Sequence, residues 1–434
     1  MKVCVQGLWH LGVVTAACLA EKGHRVVGVD PDREAVEGLR AGRLPVNELG
    51  LEELVRRNTA AGRLAFETDP AAAAGAEAVW IAFDTPVDQD DRADVDLVLR
   101  EAERLFPHLS AGTAVLVSSQ LPVGSVARLE AAFARLRPGV PVHFACSPEN
   151  LRLGKAIQVF TEPDRVVVGV RTPAARARIQ ALLAPVTDRI EWMTVESAEM
   201  TKHAVNAFLA VSVTFANELA AICEQVGADA KEVERGLKTE SRIGPRAYLA
   251  PGAAFAGGTL ARDVAFLSDL ARAHGLEVPL VAAVRPSNEF HKGWALRHLP
   301  ARPGAAVAVW GLTYKPGTDT LRRSASVELC RALAARGAKV RAYDPAVRSL
   351  PAELAALIDL RADPAEAARG AEGLVVATEW PTFREVDLAA VLAGMARRLV
   401  VDANRFLAAR LAGLEVEYHA VGAASPGAGG HHGA

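Results

Sequence analysis

The chain has 434 residues, half of them hydrophobic, and carries 49 Lys and Arg against 51 Asp and Glu. This length exceeds one ordinary domain and indicates two or three domains of about 100 to 200 residues each. Because the formal net charge is only −2, bulk charge favours neither nucleic-acid nor membrane-surface binding, and small molecules and further copies of the chain are the expected partners.

The N-terminus predicts a strand that enters a glycine turn, without the charged start, apolar core and cleavage site of a signal peptide. No apolar run reaches the roughly 20 residues of a membrane span, and a cytoplasmic protein is expected. Paired spacing is absent among the cysteines, which favours neither disulfides nor a zinc site; we expect no bound metal. The cysteines are Cys4, Cys18, Cys146, Cys223 and Cys330.

β-Branched runs alternate with Ala- and Leu-rich amphipathic stretches over residues 1–195. The predicted strands cover residues 3–6, 24–30, 77–83, 113–118, 140–146 and 165–170. Strands separated by helices predict a parallel, doubly wound sheet. From residue 196 to about 226 apolar residues recur at helical spacing without turn signals, which predicts one long helix. Further helical sequence continues to about His291, and we assign residues 196–299 to a central helical domain.

The α/β pattern restarts after residue 304, with a strand predicted at 305–310, a helix at 327–336 and a strand at 340–343. This gives a second Rossmann-like domain over 300–421, followed by a Gly-rich tail, 422–434, that we expect to be disordered.

The two α/β domains begin alike. Each starts with a short strand and a glycine turn, VCVQG and VAVWG, and each continues to a Gly-x-x-Val pattern and an aspartate, Asp30 or Asp344. The predicted fold class is therefore α/β, with two doubly wound Rossmann-like domains joined by a central helical domain that contains a long helix.

A glycine turn between a strand and a helix N-terminus places backbone N–H groups where a pyrophosphate can bind. Residues 7–12, GLWHLG, have this setting, although Trp9 replaces the middle glycine of the usual GxGxxG pattern. Asp30 follows where a carboxylate accepts hydrogen bonds from ribose hydroxyls and disfavours a 2′-phosphate, so NAD is predicted over NADP. A doubly wound fold that binds no dinucleotide is the alternative. The predicted contacts from the turn are Gly7, Trp9, His10, Leu11 and Gly12.

Short motifs follow one another in order along the chain: GLEEL (50–54), TP (85–86), PVG (122–124), SPENLR (147–152), PDRVV (163–167), KHAVNAF (202–208), NE (217–218), RIGP (242–245), PGAAFAGG (251–258), GLTYKP (311–316) and TEW (378–380). Together they resemble the UDP-glucose/GDP-mannose dehydrogenase family over roughly residues 1–410. Members typically oxidise a sugar C6 alcohol twice with NAD, through a cysteine thioester that water hydrolyses. The resemblance implies a catalytic set of Lys202, Asn206, Asp263, Glu149 and Thr259, with Lys202 and Asn206 on one helix face.

The resemblance also implies losses, all in acyl capture and release. Residues 256–263, AGGTLARD, place Thr259 where the family has its nucleophilic cysteine and Arg262 where it has lysine. The family's second glutamate falls on Leu153, and the threonine of its Ser-Thr-x-Pro motif falls on Gln120. A hydroxyl is a poor nucleophile without an activating base, whereas a first hydride transfer needs only a bound alcohol, a positioned cofactor and a proton acceptor.

By the same resemblance, further residues contact the ligands. The implied additional cofactor contacts are Thr85, Ser119, Arg262 and Arg322. The implied nucleotide-sugar contacts are Glu149, Asn150, Leu151, Lys202, Asn206, Arg242, Tyr248, Phe255, Gly257 and Lys315. The family's Asp-x-Arg-Asn motif appears with its last two residues exchanged, as Asn404 and Arg405.

Three hypotheses follow. The first is an NAD-dependent nucleotide-sugar oxidoreductase that stops after one hydride transfer or rearranges a UDP- or GDP-hexose without net oxidation. The second is a full four-electron oxidation to a uronic acid that uses Thr259, Cys146 or an aldehyde hydrate. The third is a non-catalytic nucleotide-sugar binding protein. Relatives dimerise through the long helix, which implies a homodimer.

Overall fold

Short runs rich in valine form the strands of two separate sheets. The computed structural model describes residues 1–46, 48–86, 88, 93–256 and 258–423. The chain divides into two compact units, Met1–Val205 and Asn206–Ala434. Each unit contains one Rossmann-like sheet, and the longest helix begins in the first unit and ends in the second, which confirms the predicted fold class.

The first unit contains an eight-stranded sheet. Its strands are β1 (Lys2–Gln6), β2 (Arg25–Val29), β3 (Leu64–Glu67), β4 (Ala78–Ile81), β5 (Ala114–Val117), β6 (His143–Cys146), β7 (Val166–Val170) and β8 (Ile190–Met193). Its helices are α1 (His10–Glu21), α2 (Arg33–Arg40), α3 (Leu51–Ala60), α4 (Val95–Glu103), α5 (Ser125–Leu136), α6 (Ala156–Thr161) and α7 (Pro173–Leu183), with 3₁₀ turns at Pro70–Ala73 and Phe106–His108.

The strand order is β3-β2-β1-β4-β5-β6-β7-β8, and the pairs are parallel except for β6 with β7. The first six positions have the order of dinucleotide-binding sheets, in which ligands bind at the carboxyl ends of β1 and β4, where the order reverses. The prediction of a parallel sheet was wrong at β7, which pairs with β6 in the antiparallel direction after a connection that contains α6. Strands β3 and β8 were not predicted.

Helix α8 (Val195–Val226) is the longest element, with 32 residues. It is long and apolar enough to cross a membrane by length and composition alone, and 44% of its most apolar window is buried within the protein. Several of its polar side chains are buried in hydrogen bonds to the rest of the chain, among them Asn206 and Asn217. These are the contacts of a packed core helix, so the helix is weak evidence for a membrane span.

Four more helices follow α8: α9 (Ala230–Thr239), α10 (Thr259–Ala273), α11 (Pro279–Lys292) and α12 (Trp294–His298). The prediction of helical sequence up to His291 was wrong for residues 240–256 and 258, which form turns and a loop. Proline and glycine interrupt the helical pattern there, at Pro245, Pro251 and Gly252.

The second sheet repeats the first on a smaller scale. Its strands are β9 (Ala306–Trp310), β10 (Lys339–Tyr343), β11 (Ile358–Leu360), β12 (Gly373–Val376), β13 (Leu399–Val401) and β14 (Glu417–His419). Its helices are α13 (Ala325–Ala335), α14 (Ala352–Ala355), α15 (Pro364–Ala368), α16 (Leu388–Gly394) and α17 (Ala408–Leu411), with a 3₁₀ turn at Pro381–Glu385. All pairs are parallel in the order β11-β10-β9-β12-β13-β14. The predicted tail from residue 424 onward lies outside the described residues.

Candidate active site

The glycine turn after β1 has the close packing that a phosphate-binding turn requires. Gly7 has φ +89°, and a Cβ there would lie 2.8 Å from backbone atoms of Phe83. A Cβ on Gly12 would lie 1.5 Å from the Gly7 carbonyl oxygen. Trp9 stands at the N-cap of α1 with 55% of its surface exposed, so its indole does not fill the turn. The turn therefore keeps its backbone conformation without a middle glycine.

Asp30 lies beside this turn, after β2. One carboxylate oxygen accepts from the backbone N–H of Leu8 at 2.6 Å and the other from that of Asp32 at 2.9 Å. Burial raises the pKa of Asp30, against the lowering effect of these two donors. The side chain is partly exposed, so its remaining lone pairs are accessible to ribose hydroxyls.

Two hydroxyls near the carboxyl ends of β4 and β5 differ in their bonding. Thr85 donates to the backbone oxygen of Gln120 at 2.7 Å. Ser119 is buried, and its hydroxyl has no hydrogen-bond partner in the described part of the chain. A buried hydroxyl without a partner at the ligand edge of the sheet fits a site that receives a polar ligand. Together with the glycine turn and Asp30, it fits NAD.

An acidic side chain faces the same helix N-terminus. Asp84 accepts from the backbone N–H of Leu11 at 3.2 Å, and carboxylates at this end of a helix are stabilised as phosphates are. No sequence motif indicated this contact. We therefore expect Asp84 to compete with an incoming pyrophosphate for this helix-end donor.

His10 faces a different partner. Its Nε2 lies 3.1 Å from the Glu48 carboxylate. Glu48 is buried and also accepts from the backbone N–H groups of Gly154 at 2.7 Å and Ala156 at 2.9 Å. The His10 ring is therefore engaged in holding the start of α6, and only its backbone remains a candidate for cofactor binding.

Lys202 and Glu149 form a bonded pair within the first unit. The Lys202 ammonium donates to the Glu149 backbone oxygen at 2.8 Å and lies 3.2 Å from its carboxylate. The Leu151 N–H donates to that carboxylate at 2.8 Å. Both charged side chains are mostly buried, with 14% and 20% exposure, so the ammonium is held in one place. Asn150 is exposed and Leu151 is partly buried.

A cavity of about 10 Å³, enough for about one water molecule, lies beside this pair. Its lining includes Ser119, Gln120, Cys146, Glu149, Glu199 and Lys202. Glu199 is buried and accepts from the backbone N–H groups of Gly124 at 2.7 Å and Val126 at 2.9 Å. Burial raises the pKa of Glu199, and burial raises the pKa of the Cys146 thiol well above its usual value.

Asn206 and Asp263 form a second bonded pair, within the second unit. The Asn206 amide donates to the Asp263 carboxylate at 2.5 Å. Asp263 is completely buried and Asn206 is 6% exposed. A charge-assisted hydrogen bond in such a buried setting fixes the orientation of the amide. Lys202 precedes Asn206 by one turn of α8.

Thr259 is the first residue of α10 and is exposed, whereas Arg262, one turn further on, is partly buried. Within the described ranges no side chain hydrogen-bonds to the Thr259 hydroxyl. All five thiols are buried, and burial raises their pKa values, to about 12 for Cys4, Cys18 and Cys330. If the Cys146 thiol acts as the nucleophile in place of Thr259, it therefore does so from a protonated state.

Four side chains hold the loop at residues 251–255, where Phe255 was predicted to contact the sugar. Asn288 accepts from the Phe255 N–H at 3.0 Å and donates to its carbonyl at 2.8 Å. The His291 ring bonds the Gly252 carbonyl at 2.8 Å, and Asn217 accepts from the Gly252 N–H at 3.0 Å. The Asn404 side-chain oxygen accepts from the Ala253 N–H at 2.7 Å.

The exchange of Asn404 and Arg405 has a structural counterpart. Arg405 donates two hydrogen bonds to Asp229, both at 2.8 Å. The Arg405 hydrogen bond lowers the pKa of Asp229, against burial. The guanidinium at this position therefore ties the segment after β13 to the start of α9, while the amide of Asn404 reaches the 251–255 loop.

The other predicted ligand contacts are more scattered. Arg242 bonds Glu240 at 2.9 Å with 86% of its side chain exposed, and Tyr248 is 59% exposed. Lys315 is partly buried and Arg322 is exposed, both in the loop after β9. Gly257 lies outside the described residues.

A close-packed glycine turn after β1, with a partly exposed carboxylate after β2, is the arrangement of a dinucleotide-binding domain. Three family models match the chain in order: the NAD binding domain over residues 1–187, the central domain over 196–290 and the UDP binding domain over 308–409. The chain belongs to the UDP-glucose/GDP-mannose dehydrogenase family, as the sequence motifs predicted. It is an NAD-dependent dehydrogenase that acts on a nucleotide sugar.

Individual relatives cover almost the whole chain. It is 37% identical over 442 residues to a UDP-glucose 6-dehydrogenase of Pseudomonas aeruginosa, across 97% of both chains. It is 36% identical over 414 residues to a UDP-glucose 6-dehydrogenase of Rhizobium meliloti, across 93% of this chain and 94% of that one. A UDP-glucose dehydrogenase structure from Pyrobaculum islandicum matches with a TM-score of 0.88 and 33% identity, across 98% of both chains.

Proposed function

We propose that this dehydrogenase removes one hydride from a UDP-hexose, or removes and returns it so that the sugar is rearranged without net oxidation. The observation that carries the proposal is the state of the candidate nucleophiles. Thr259 is exposed without a hydrogen-bonded base among the described residues, and every thiol is buried with a raised pKa. Neither a hydroxyl without an activating base nor a buried thiol with a raised pKa readily attacks an aldehyde.

The groups for the first step are present in bonded pairs. The Lys202 ammonium, held by Glu149, is suited to binding the sugar alcohol oxygen and to stabilising negative charge as the C–H hydride leaves. Asn206, oriented by Asp263, offers a second polar contact one helical turn away. The alcohol proton passes to an ordered water and from there to bulk solvent, while Lys202 and Asn206 hold the oxygen that it leaves. NAD, bound by the glycine turn, Asp30 and Ser119, supplies the hydride acceptor.

The test is a measurement of stoichiometry. Purified protein is incubated with NAD and UDP-, GDP- or dTDP-hexoses, NADH is followed by absorbance, and sugar products are resolved by mass. One NADH per sugar with a mass loss of two hydrogens, or no NADH with an isomerised sugar, supports the proposal. Two NADH per sugar and a product with the mass of a carboxylate would refute it.

Full four-electron oxidation is the second candidate, and two observations favour it. Relatives more than 35% identical over almost the whole chain are named UDP-glucose 6-dehydrogenases. The small cavity beside Glu149 and Lys202 has room for about one water molecule, which is what direct oxidation of an aldehyde hydrate needs. In that case two NADH form per sugar without any covalent intermediate, and acid quenching traps no sugar on the protein.

We also infer a homodimer formed through α8. Apolar side chains lie exposed along this helix at intervals of seven and four residues: Phe208 (69% exposed), Phe215 (50%), Ile222 (58%) and Val226 (66%). Such a stripe is typical of a helix that packs against a partner helix. The double variant Phe208→Glu/Ile222→Glu should be a monomer in light scattering, whereas Leu136→Glu, at an exposed leucine on α5, should leave the dimer intact.

A further inference from the structure

The second Rossmann-like domain repeats the glycine turn and the aspartate of the first. Strand β9 ends at Trp310, and Gly311 follows with φ +90°. A Cβ on Gly311 would lie 2.4–2.7 Å from atoms of Thr378, just as a Cβ on Gly7 would meet Phe83. Asp344 follows β10, at the place that Asp30 has after β2. By backbone alone, the second domain has the form of a dinucleotide site.

The hydrogen bonds of Asp344 are incompatible with that role. The side chain is 2% exposed. One carboxylate oxygen accepts from the backbone N–H of Leu312 at 2.7 Å, and from the N–H and hydroxyl of Thr313 at 3.0 and 3.1 Å. The same oxygen accepts from the Trp380 indole at 3.1 Å, and the other oxygen accepts from the Ala346 N–H at 2.9 Å.

The two aspartates thus differ in whether the carboxylate and the nearby turn amides remain accessible to a ligand. In a dinucleotide site the turn amides face the pyrophosphate and the carboxylate faces the ribose. Asp30 accepts from one turn amide and is partly exposed. Asp344 binds two turn amides and is covered by a hydroxyl and an indole, so neither the amides nor the carboxylate is open to a ligand.

We propose that Asp344 is a positioning residue that takes the place of a ligand phosphate in the second domain. Its carboxylate binds the turn amides, so that they cannot bind the pyrophosphate of a dinucleotide, and it fixes the turn that leads to Lys315. The second part deepens the proposed function, because it rests on Lys315 contacting the diphosphate of the nucleotide sugar.

Further hydrogen bonds extend the network along the turn. The Thr378 hydroxyl donates to the Thr313 carbonyl at 2.7 Å and lies 3.1 Å from the Ser326 hydroxyl. The Tyr314 N–H donates to the Thr320 carbonyl at 2.8 Å. Every residue between Gly311 and Lys315 is therefore bonded to a neighbouring segment, and the carboxylate of Asp344 is the charged centre of this arrangement.

The first test is the NAD stoichiometry of the full chain, measured by isothermal titration calorimetry. We expect one NAD per chain, and no measurable binding by Asp30→Ala. Two NAD per chain would overturn the proposal. So would binding that persists in Asp30→Ala and is lost in Asp344→Ala. This test does not depend on which sugar the protein uses.

The second test compares Asp344→Asn with Asp359→Asn, an exposed aspartate on β11 that pairs with Arg361. Asp344→Asn keeps an acceptor oxygen but loses the charge. We expect it to raise the Kd for UDP about tenfold, to leave the Kd for NAD unchanged and to accelerate hydrogen exchange of the two turn amides. The control should change none of these. Thr313→Val, which removes only the hydroxyl donor, should raise the Kd for UDP about threefold and serves if Asp344→Asn does not fold.

The outcomes separate the two proposals. Wild-type affinity for UDP together with unchanged amide exchange in Asp344→Asn would overturn the role of Asp344. If the wild-type chain binds neither UDP nor UDP-glucose, the proposed function fails, while NAD stoichiometry and amide exchange still decide whether Asp344 acts as the internal anion.

Discussion

Replacement of Asn206 by aspartate tests the buried pair on which the proposed first step depends. Asn206 is 6% exposed and Asp263 is fully buried, with 2.5 Å between the amide nitrogen and the carboxylate oxygen. Asn206→Asp preserves the shape of the side chain and replaces the donor by a second carboxylate. Two carboxylates at this distance do not both ionise, so the folded variant must keep one shared proton.

The magnitude follows from the burial of the pair. Asn206→Leu removes the amide without adding a charge and should cost about 1.5–3 kcal/mol near neutral pH, as for a hydrogen bond to a charged group. Asn206→Asp should cost a similar amount near pH 5. Because the folded variant holds a proton that the unfolded chain releases, its stability should fall as the pH rises, by up to about 1.4 kcal/mol per pH unit. Near pH 8 the loss should reach about 3–5 kcal/mol.

Urea unfolding of the wild type, Asn206→Leu and Asn206→Asp at pH 5.5 and pH 8 measures these differences. Initial rates of NADH formation on the same samples separate stability from catalysis. If Asn206→Asp and Asn206→Leu lose the same stability at both pH values, the two side chains do not form a buried charge-assisted pair. If Asn206→Leu keeps the wild-type kcat, Asn206 has no part in the reaction.

Three further predictions concern the cofactor, the thiols and the acid stability. Asp84→Asn should lower the Kd for NAD about fivefold at low salt, because the carboxylate no longer competes for the start of α1; an unchanged Kd in fluorescence titration would contradict this. Fewer than one thiol per chain should react with a thiol reagent at pH 8 before denaturation, and Cys146→Ser should leave the NADH yield per sugar unchanged, whereas a halved yield would assign Cys146 to the chemistry. Arg405 lowers the pKa of Asp229, so the stability that this pair contributes is present above about pH 4 and is lost as the pH falls below it. Arg405→Ala should therefore be less stable than the wild type at pH 7 and should lose less stability on acidification. An equal difference in stability between the variant and the wild type at neutral and at acid pH would refute the assignment.

Much of the fold could be predicted from the sequence because its strands are short and rich in valine. The observed bounds of β1, β5 and β7 agree with the predicted strands to within one residue. Strand β3, Leu64–Glu67, carries no β-branched residue. The sequence Ile190–Met193 of β8 comes between two helices without a clear alternation. Both strands depend on pairing with a neighbour, which local sequence does not specify.

Long-range contacts of buried carboxylates could not be predicted in the same way. Glu48 accepts from backbone groups more than 100 positions away, and Glu199 from groups more than 70 positions away. Both cap the start of another helix, and nothing in their own surroundings in sequence distinguishes them from solvated glutamates. The motif resemblance identified Lys202 and Asn206 together with the carboxylates bonded to them, Glu149 and Asp263, but it did not identify Glu48 or Glu199.

The pairing of these residues bears on the predicted replacement of the family's nucleophilic cysteine by Thr259. Lys202 is bonded to Glu149 and Asn206 to Asp263, so removing either polar group leaves a buried charge without its partner, which costs several kcal/mol. Thr259 is exposed at a helix start, and a change there costs little stability. Stability alone therefore favours keeping the pairs and tolerates different residues at position 259. Retention of Lys202 and Asn206 becomes evidence for catalysis only when a variant such as Asn206→Leu loses turnover by more than its loss of folded protein explains.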